Sequence, residues 1–357
     1  MDKLELKVKR FFQSALYRWS DQNPRPMPWK SIADPYKIWI SEIILQQTRV
    51  AQGWDYYLKF INQFPDIISL ARAPISRVLK AWEGLGYYTR ARNLHVSAAM
   101  ILNKYQGKFP DNYQEIISLK GVGSYTAAAI SSFAFNLPHA VLDGNVHRIL
   151  SRFLGVNRRM VSASDKKYFQ SIADQLLDIS SPARYNQAIM DFGAICCTPQ
   201  NPKCSQCPLN KNCYAFNQDA VHTLPPAKIK SKKKDRFFHY FIIKNEKNHL
   251  AMNQRTGKDI WTGLYEFPMV ETQDSSKPSI RKIKKELGEV ILTDKAFLSN
   301  KQILSHQIIY SFFYLAKNEL EKMEYPMYSL NKINSIGKCG NLVKDFEKIV
   351  NTVISSS

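Results

Sequence analysis

Residues Leu119 to Ala127 have the sequence LKGVGSYTA, and much of the fold of the N-terminal region follows from it. The segment lies between two stretches of helical periodicity, so that Gly121 and Gly123 fall in a short turn between two helices. Glycine allows positive φ and the close approach of another backbone. Two interpretations are open: an ordinary corner with a glycine C-cap, or a helix-hairpin-helix in which Gly121, Val122 and Gly123 offer N–H groups to a phosphate oxygen.

The distribution of charge favours the second interpretation. The 357 residues carry a net charge of +20, and residues 1–236 account for +16 of it with 33 basic and 17 acidic side chains. Residues 237–357 contribute only +4. A field concentrated in one part of a chain favours a polyanionic partner, and nucleic acid is the usual one. A charge that serves solubility alone is the alternative. We therefore expect the hairpin to grip a DNA backbone independently of base sequence.

The pattern of apolar residues divides the chain in two. A proline- and lysine-rich segment over residues 225–236 predicts a linker between a helical region (residues 1–224) and a smaller α+β domain (residues 237–357). After the linker, strand-like runs at Phe237–Ile243 and Ile308–Tyr314 flank one basic helix, Ser279–Leu287. Before it, periodicity predicts these helices: Asp34–Phe64, Pro74–Trp82, Ala91–Tyr105, Tyr113–Leu119, Tyr125–Phe135 and Val146–Leu154.

Four cysteines follow the helical region in the pattern C-x6-C-x2-C-x5-C. They are Cys197, Cys204, Cys207 and Cys213, and the residues between them are polar and proline-rich, as in a loop wrapped around a bound group. Disulfides are typical of secreted and usually shorter chains, and structural zinc sites usually pair two C-x2-C knuckles. A 4Fe–4S cluster tolerates uneven spacing. The spacing favours the cluster and leaves zinc and disulfides as alternatives.

Two carboxylates have ambiguous surroundings. Glu42 lies in an otherwise apolar helix start, where it could serve the helix dipole or, desolvated among Trp, Ile and Leu side chains, have the raised pKa of a general acid. Asp143 lies in an Asp-Gly-Asn sequence before a helix, which taken alone indicates a turn and an N-cap. Neither residue establishes an activity by itself.

The N-terminus has no apolar segment of a signal peptide, and no run approaches the roughly 18 apolar residues of a membrane-spanning helix. We expect a soluble, cytoplasmic monomer without a membrane partner, associated with the nucleoid if the source is bacterial.

Five motifs occur in one order: SEIILQQT at 41–48, GLGYY at 84–88, LKGVGSYTAAAI at 119–130, LDGNVHRIL at 142–150 and the cysteine loop. Together they closely resemble the MutY-type adenine DNA glycosylases of the endonuclease III superfamily, from about residue 29 to residue 213 and again in the C-terminal domain. The resemblance implies a mainly α, helix-hairpin-helix glycosylase core whose cysteine loop holds a 4Fe–4S cluster, followed by a Nudix-like domain. It leaves Cys196 as a spare thiol and Cys339 as a structural or surface thiol.

The resemblance also implies roles for four residues. Glu42 matches the acid that protonates adenine at N7, and Asp143 matches the anion that stabilises the oxocarbenium-like sugar, a division of labour that resembles glycoside hydrolysis. Asn145 is expected to fix Asp143 or to bind the sugar–phosphate, and Tyr125 to lie in the same pocket. The implied partner is double-stranded DNA in which adenine lies opposite 8-oxoguanine or guanine.

Further residues are implied to open the duplex and to read the opposite base. Gln47 and Tyr87 match side chains that wedge into the base stack, although each has an ordinary structural interpretation. Ser305 and His306 match a loop that probes 8-oxoguanine. Leu304 departs from the family pattern, where a phenylalanine precedes Ser-His, and a plain turn between strands is the alternative there.

Four other functions fit the sequence less well. A bifunctional lyase needs a lysine where this chain has Tyr125, and a thymine- or uracil-mismatch glycosylase generally lacks a C-terminal domain. A non-catalytic iron–sulfur DNA-binding protein should lack one of the two carboxylates. A Nudix hydrolase would need clustered acidic metal ligands, whereas the region after Pro278 has only Glu286 and Glu289 among lysines.

Overall fold

The computed structural model describes residues 4–30, 32–227, 232–288, 290–292, 295–318 and 325–355. The chain forms two compact units. The first combines Met1–Ala71 with Val96–Ile229, and the second combines Arg72–His95 with Lys230–Ser357. The region around the GLGYY sequence therefore groups with the C-terminal part of the chain.

The residues before the predicted linker are helical, and two short 3-10 helices, Cys204–Gln206 and Asn210–Asn212, lie in the cysteine loop. In chain order the α-helices are α1 (Leu6–Gln22), α2 (Pro35–Leu45), α3 (Val50–Gln63), α4 (Ile67–Arg72), α5 (Ile75–Ala81), α6 (Thr89–Lys104), α7 (Tyr113–Ser118), α8 (Ser124–Phe135), α9 (Gly144–Leu154), α10 (Ala163–Leu176), α11 (Pro182–Ile195) and α12 (Tyr214–Asn217).

The helix predicted over Asp34–Phe64 begins where the sequence indicates but is interrupted. The Asp34 side chain caps α2 by accepting from the N–H groups of Tyr36 (2.9 Å) and Lys37 (3.4 Å). The single helix predicted over Asp34–Phe64 is wrong, because residues 46–49 separate α2 from α3. Gln47 has φ +58°, a left-handed conformation that a helix cannot continue through. The apolar spacing runs on across this break, which is why the pattern did not reveal it.

The core of the first unit surrounds α8. Residues Thr126 to Ser132 of that helix are all buried, and the adjoining core side chains come from α1, α9, α10 and α11. A helix that is apolar all round belongs at the centre of a helical domain. Its N-terminus, immediately after the glycine turn, is consequently fixed by the packing of the whole unit.

The strands of the second unit and the helix among them are β1 (Lys234–Ile243), β2 (Leu250–Ala251), β3 (Asn253–Gln254), β4 (Tyr265–Glu266), β5 (Met269–Thr272), α13 (Ile280–Leu287), β6 (Val290–Leu292), β7 (Leu298–Ile303), β8 (Gln307–Asn318) and β9 (Met327–Tyr328). The helices after β9 are α14 (Leu330–Ser335), α15 (Gly340–Val343) and α16 (Phe346–Ser355). The main sheet is mixed: β1 and β8 are parallel and their neighbours are antiparallel, in the order β5-β1-β8-β6 with β7 also paired to β8.

The fold class predicted from the sequence is confirmed: a helical region precedes a smaller α+β domain. The two predicted strands lie within β1 and β8, and the basic helix is α13. Strand β1 begins at Lys234, inside the segment predicted as a linker, while residues 228–231 and Glu289 lie outside the described residues. The predicted domain bounds stay a prediction.

Candidate active site

A cleft of about 930 Å³ opens into the first unit, and the structure brings the four predicted catalytic side chains together in its wall. Glu42 comes from α2, Tyr125 from the start of α8, and Asp143 and Asn145 from the start of α9. Gln47 lines the same cleft from the break between α2 and α3. Residues that are far apart in sequence thus share one concave site.

Glu42 has the properties of a carboxyl held for proton transfer. Its side chain is buried, with only 7% of its surface exposed. Burial raises its pKa to about 7, the negative charge of Asp143 adds to the rise, and a hydrogen bond from Tyr125 opposes it. Desolvation disfavours the charged form of an acid, which explains the direction. Near neutral pH this carboxyl therefore exists in both protonated and ionised forms.

Tyr125 connects Glu42 to the opposite wall. Its hydroxyl lies 3.3 Å from Met190 Sδ and within hydrogen-bonding distance of the Glu42 carboxyl. Burial, followed by the charges of Glu42 and Asp143, raises the pKa of Tyr125, so it stays a neutral phenol. A phenol has one proton to donate. The Tyr125 hydroxyl can donate it to an ionised Glu42, or to Met190 Sδ when Glu42 is protonated.

Asp143 is held at the N-terminus of α9. Its Oδ1 accepts from the backbone N–H groups of Asn145 and Val146, both at 2.8 Å, and its Oδ2 accepts from Asn145 Nδ2 at 2.8 Å. Charge-assisted hydrogen bonds and the positive end of a helix dipole both stabilise an anion. The site therefore contains one carboxyl whose pKa is raised by burial and one carboxylate held by three N–H donors.

A second charged group in the cleft was missed by the sequence analysis. Asp191 on α11 is 5% exposed and accepts from Arg25 Nη1 (3.1 Å), Lys30 Nζ (2.5 Å) and Gln187 Nε2 (3.1 Å). Two cations and an amide leave this buried carboxylate fully paired. The sequence signal was an aspartate within the apolar sequence AIMDFG, comparable with Glu42, but its two cationic partners are more than 160 residues away.

The glycine turn has the geometry of a backbone-binding hairpin. Gly121 has φ +84°, Val122 is buried, and Gly123 begins α8 without a side-chain cap. A Cβ at Gly123 would meet nothing within 4 Å, so this helix start is open. The turn borders a groove of about 890 Å³ that is also lined by Lys166 and Lys167. A helix N-terminus beside lysines suits a phosphate.

The cysteine loop encloses a small cavity lined by Cys197, Cys204, Cys207 and Cys213. Within the described part of the chain all cysteines are free thiols, and no three acidic, imidazole or thiol groups meet closely enough to hold one metal ion. The thiols are instead distributed around the cavity wall.

Donors surround these sulfurs. Arg152 Nη1 lies 3.5 Å from Cys197 Sγ, backbone N–H groups of Leu209 and Asn210 point at Cys207, and those of Ala215 and Phe216 point at Cys213. Hydrogen bonds to ligand sulfurs are a feature of iron–sulfur sites. Four thiols around one cavity, with donors to their sulfurs, fit a 4Fe–4S cluster, which when bound would organise the loop and its lysines.

Arg148 joins the cysteine loop to the catalytic wall. Its Nη2 donates to Asn145 Oδ1 (2.9 Å) and to the carbonyl of Gly193 (2.7 Å), while its Nε donates to the carbonyl of Cys197 (2.8 Å). The planar guanidinium therefore fixes Asn145, which in turn holds Asp143. This chain of contacts was also missed from the sequence.

In the second unit, Ser305 and His306 form the exposed tip of the hairpin between β7 and β8, closed by a 2.8 Å hydrogen bond from Leu304 N to Gln307 O. The Tyr87 hydroxyl hydrogen-bonds to Ser305 Oγ, and Lys233 Nζ donates to the Leu304 carbonyl at 2.7 Å. A cleft of about 570 Å³ lies beside the tip.

Tyr87 and Gln47, the two predicted wedge residues, share a backbone feature. Tyr87 has φ +48°, and Gln47 has φ +58°. Such conformations are uncommon for residues other than glycine and concentrate at functional sites. Tyr87 is 45% exposed, which is high for a large aromatic side chain.

The fold and site define a class: a helix-hairpin-helix DNA glycosylase with an iron–sulfur loop. Residues 40–176 match the model of the HhH-GPD superfamily of base excision DNA repair proteins, residues 197–213 match the iron–sulfur binding domain of endonuclease III, and residues 239–339 match the NUDIX domain. The first match includes the glycine turn and both carboxylates.

Curated relatives identify the family within that class. Adenine DNA glycosylase of Buchnera aphidicola subsp. Baizongia pistaciae is 35% identical over 304 residues, which cover 84% of each protein. The enzyme of the same name from Buchnera aphidicola subsp. Acyrthosiphon pisum is 38% identical over 270 residues, 75% of this chain and 77% of that protein. The chain belongs to the adenine DNA glycosylases.

Among solved structures, a thermostable thymine-DNA glycosylase is similar with 30% identity and a TM-score of 0.56, over 59% of this chain and 98% of that one.

These findings confirm several predictions. The protein is a DNA glycosylase that excises adenine in base excision repair, it carries a 4Fe–4S cluster, and it binds double-stranded DNA with a mispaired base. The non-catalytic interpretation and the zinc and disulfide alternatives for the cysteines are set aside. No helix within the described ranges is long and apolar enough to cross a membrane.

Proposed function

We propose that the enzyme excises adenine opposite 8-oxoguanine or guanine, with Glu42 as general acid and Asp143 as electrostatic stabiliser, and that it leaves an intact abasic strand. The observation that carries the assignment of roles is the pairing, in one cleft, of a buried carboxyl whose pKa is raised to about 7 with a carboxylate held by three N–H donors. Such divergent environments suit one acid and one anion.

The reaction follows from those two states. Protonated Glu42 donates to N7 of adenine, the bond from the sugar C1′ to N9 breaks, and its electron pair leaves with the now neutral base. The sugar becomes oxocarbenium-like, and the anion of Asp143 stabilises its positive charge. Water adds to C1′ and loses a proton to the carboxylate of Glu42, which restores the acid. The products are adenine and an abasic site.

The adenine has to leave the base stack before this chemistry, at a cost of about a few kcal/mol. We assign Gln47 and Tyr87 to the side chains that hold the stack open. Their left-handed backbone conformations and the exposure of Tyr87 support this role. The glycine turn and the lysines of its groove are assigned to the DNA backbone, which positions the enzyme without reading sequence.

Recognition of the opposite base is assigned to Ser305 and His306. 8-Oxoguanine differs from guanine in an oxygen at C8 and a hydrogen on N7, and a serine hydroxyl can both donate and accept. The exposed position of both residues on a tight hairpin, steadied by Tyr87 and Lys233, supports this assignment. We further propose that the enzyme acts as a monomer on genomic DNA in the cytoplasm, or in the nucleoid if the source is bacterial.

The absence of a lyase step is proposed from Tyr125. A Schiff-base mechanism needs an amine next to C1′, and the residue at this position is a phenol whose proton is held by burial.

A single-turnover assay tests these roles. Duplexes with adenine opposite 8-oxoguanine, guanine or thymine are incubated with wild type, Glu42→Gln and Asp143→Asn, and strands are examined with and without alkali. Each variant should lose several orders of magnitude in rate and keep DNA affinity, as expected for interactions used in the transition state. Strands should break only after alkali, and borohydride should trap little covalent adduct.

Wild-type rates in either variant would remove that residue from the mechanism. Efficient borohydride trapping at the rate of base release would show that an amine had acquired the lyase role. Equal rates on all three duplexes would reject the proposed preference while leaving the glycosylase activity intact.

A further inference from the structure

A fifth thiol lies at the cysteine loop. Cys196 directly precedes the first residue of the iron–sulfur domain match, which starts at residue 197. It is 3% exposed, more deeply buried than the four cysteines of the motif. The glycosylase chemistry gives it no task, and a buried free thiol is more often an inert core residue.

Its position differs from that of an ordinary core cysteine. Cys196 lines the same cavity as Cys197, Cys204, Cys207 and Cys213. Its thiol is a neighbour of the Cys207 thiol and interacts with it. Two sulfurs therefore stand side by side at one part of the cavity wall.

The backbone holds Cys196 in this position. It ends α11, where its N–H donates to the carbonyl of Phe192 at 2.9 Å, and its own carbonyl accepts from Lys203 N at 3.0 Å. The second bond joins it to the segment that leads to Cys204. These two bonds fix the backbone of Cys196 beside the cavity, so its thiol stays within reach of the cavity.

We propose that one iron of the cluster has two alternative protein ligands, Cys207 and Cys196, so that the site holds five thiols for four iron corners. The exchange involves no oxidation or reduction: the incoming thiol gives its proton to solvent as it binds iron, and the departing thiolate takes one up. Cys196 keeps the cluster bound while Cys207 is detached, which slows loss of the whole cluster.

The test is iron retention in the full-length protein purified without oxygen. Cys207→Ala should keep about four irons per chain and the broad absorption near ~400 nm of a cubane held by four thiolates. Cys207→Ala combined with Cys196→Ala should lose both. Cys204→Ala is the matched control: it removes a ligand of the same loop and leaves Cys196 in place, and it should lose the cluster.

A second measurement does not depend on the folding of a ligand variant. Cys196→Ser retains all four cysteines of the motif and should assemble a full cluster, but it should release iron to a chelator several-fold faster than wild type. Cys339→Ser, which changes another fully buried cysteine in the other unit, should release iron at the wild-type rate.

The proposal fails if Cys207→Ala loses iron as completely as the double variant and Cys196→Ser releases iron no faster than wild type. It also fails if Cys204→Ala retains as much iron as Cys207→Ala, because rescue would then not depend on the neighbouring thiol.

Discussion

As the proposed general acid, Glu42 can start the reaction only while it carries a proton. Burial raises its pKa to about 7, and the protonated fraction falls tenfold for each pH unit above that value. We therefore predict that the single-turnover rate of adenine release is nearly constant below about pH 6.5 and declines about tenfold per unit above pH 7.5. A rate that stays level to pH 9 would contradict the assignment of the acid.

The raised pKa of Glu42 also lowers the free energy of unfolding at neutral and alkaline pH. The folded-state pKa of Glu42 exceeds its ordinary value of 4.5, so the folded protein binds more protons than the unfolded chain between the two values. Stability then falls as pH rises from about 4.5 to 7, and the full cost of about 3 kcal/mol is present above pH 7.

Glu42→Gln should consequently be more stable than wild type at pH 8, by up to about 3 kcal/mol, and the difference should shrink below about 1 kcal/mol at pH 5. Denaturant unfolding at the two pH values measures it, with Glu246→Gln, an exposed glutamate, as the control. Equal stabilisation at both pH values would point to packing rather than to ionisation.

The environment of Glu42 was predictable because its apolar neighbours are adjacent in sequence. The ion pairs of Asp191 were not, since Arg25 and Lys30 reach it only through the packing of the chain start against α11. Neighbouring residues in the sequence thus indicate whether a carboxyl is buried, but they do not indicate ion pairs with residues far away in the chain.

Helix α9 both holds Asp143 at its N-terminus and contacts the cysteine loop. Its first residues hold Asp143, while Arg148, one turn later, binds Asn145 and the carbonyl of Cys197. The strong helical pattern after the Asp-Gly-Asn turn predicted α9 itself. It could not indicate which face meets the cysteine loop, because that depends on the crossing of α9 with α11.

Arg148→Lys keeps the charge and loses the planar fork, so Asn145 and Asp143 should become less well positioned. We predict a fall of about 10- to 100-fold in the single-turnover rate, as for the loss of other supporting hydrogen bonds around a site. DNA affinity and iron content should stay close to wild type. A loss of rate that merely parallels a loss of iron would assign Arg148 to the loop alone.

At the scale of the whole molecule, the sequence predicts two consecutive regions. The contacts between residues instead group Arg72–His95 with the C-terminal region. Residues of α5 and the turn after it pack with the C-terminal part: Glu83 accepts from Lys338 N at 2.8 Å and pairs with its ammonium at 3.5 Å. A separation of 255 residues leaves no local pattern from which this pairing could be inferred.

Because Arg72–His95 groups with the C-terminal region, the proposed recognition of the base opposite adenine is better tested with point variants than with a deletion. Deleting residues 225–357 would also remove the packing partners of Arg72–His95, so that lost discrimination and lost folding could not be separated. Point variants at the hairpin tip avoid this problem, since Ser305 and His306 are exposed. Surface substitutions of this kind rarely change stability by more than about 0.5 kcal/mol.

Changing Ser305 and His306 together to alanine should reduce the preference for 8-oxoguanine·A over G·A by roughly 1–3 kcal/mol, the contribution of the lost hydrogen bonds. The rate on G·A should change little, because Glu42 and Asp143 lie in the other unit. Single-turnover rates on both duplexes measure the preference, with Ser299→Ala on the exposed side of β7 as the control. If the double variant keeps the full preference, the hairpin is only a turn between strands, and discrimination belongs to the rest of the chain.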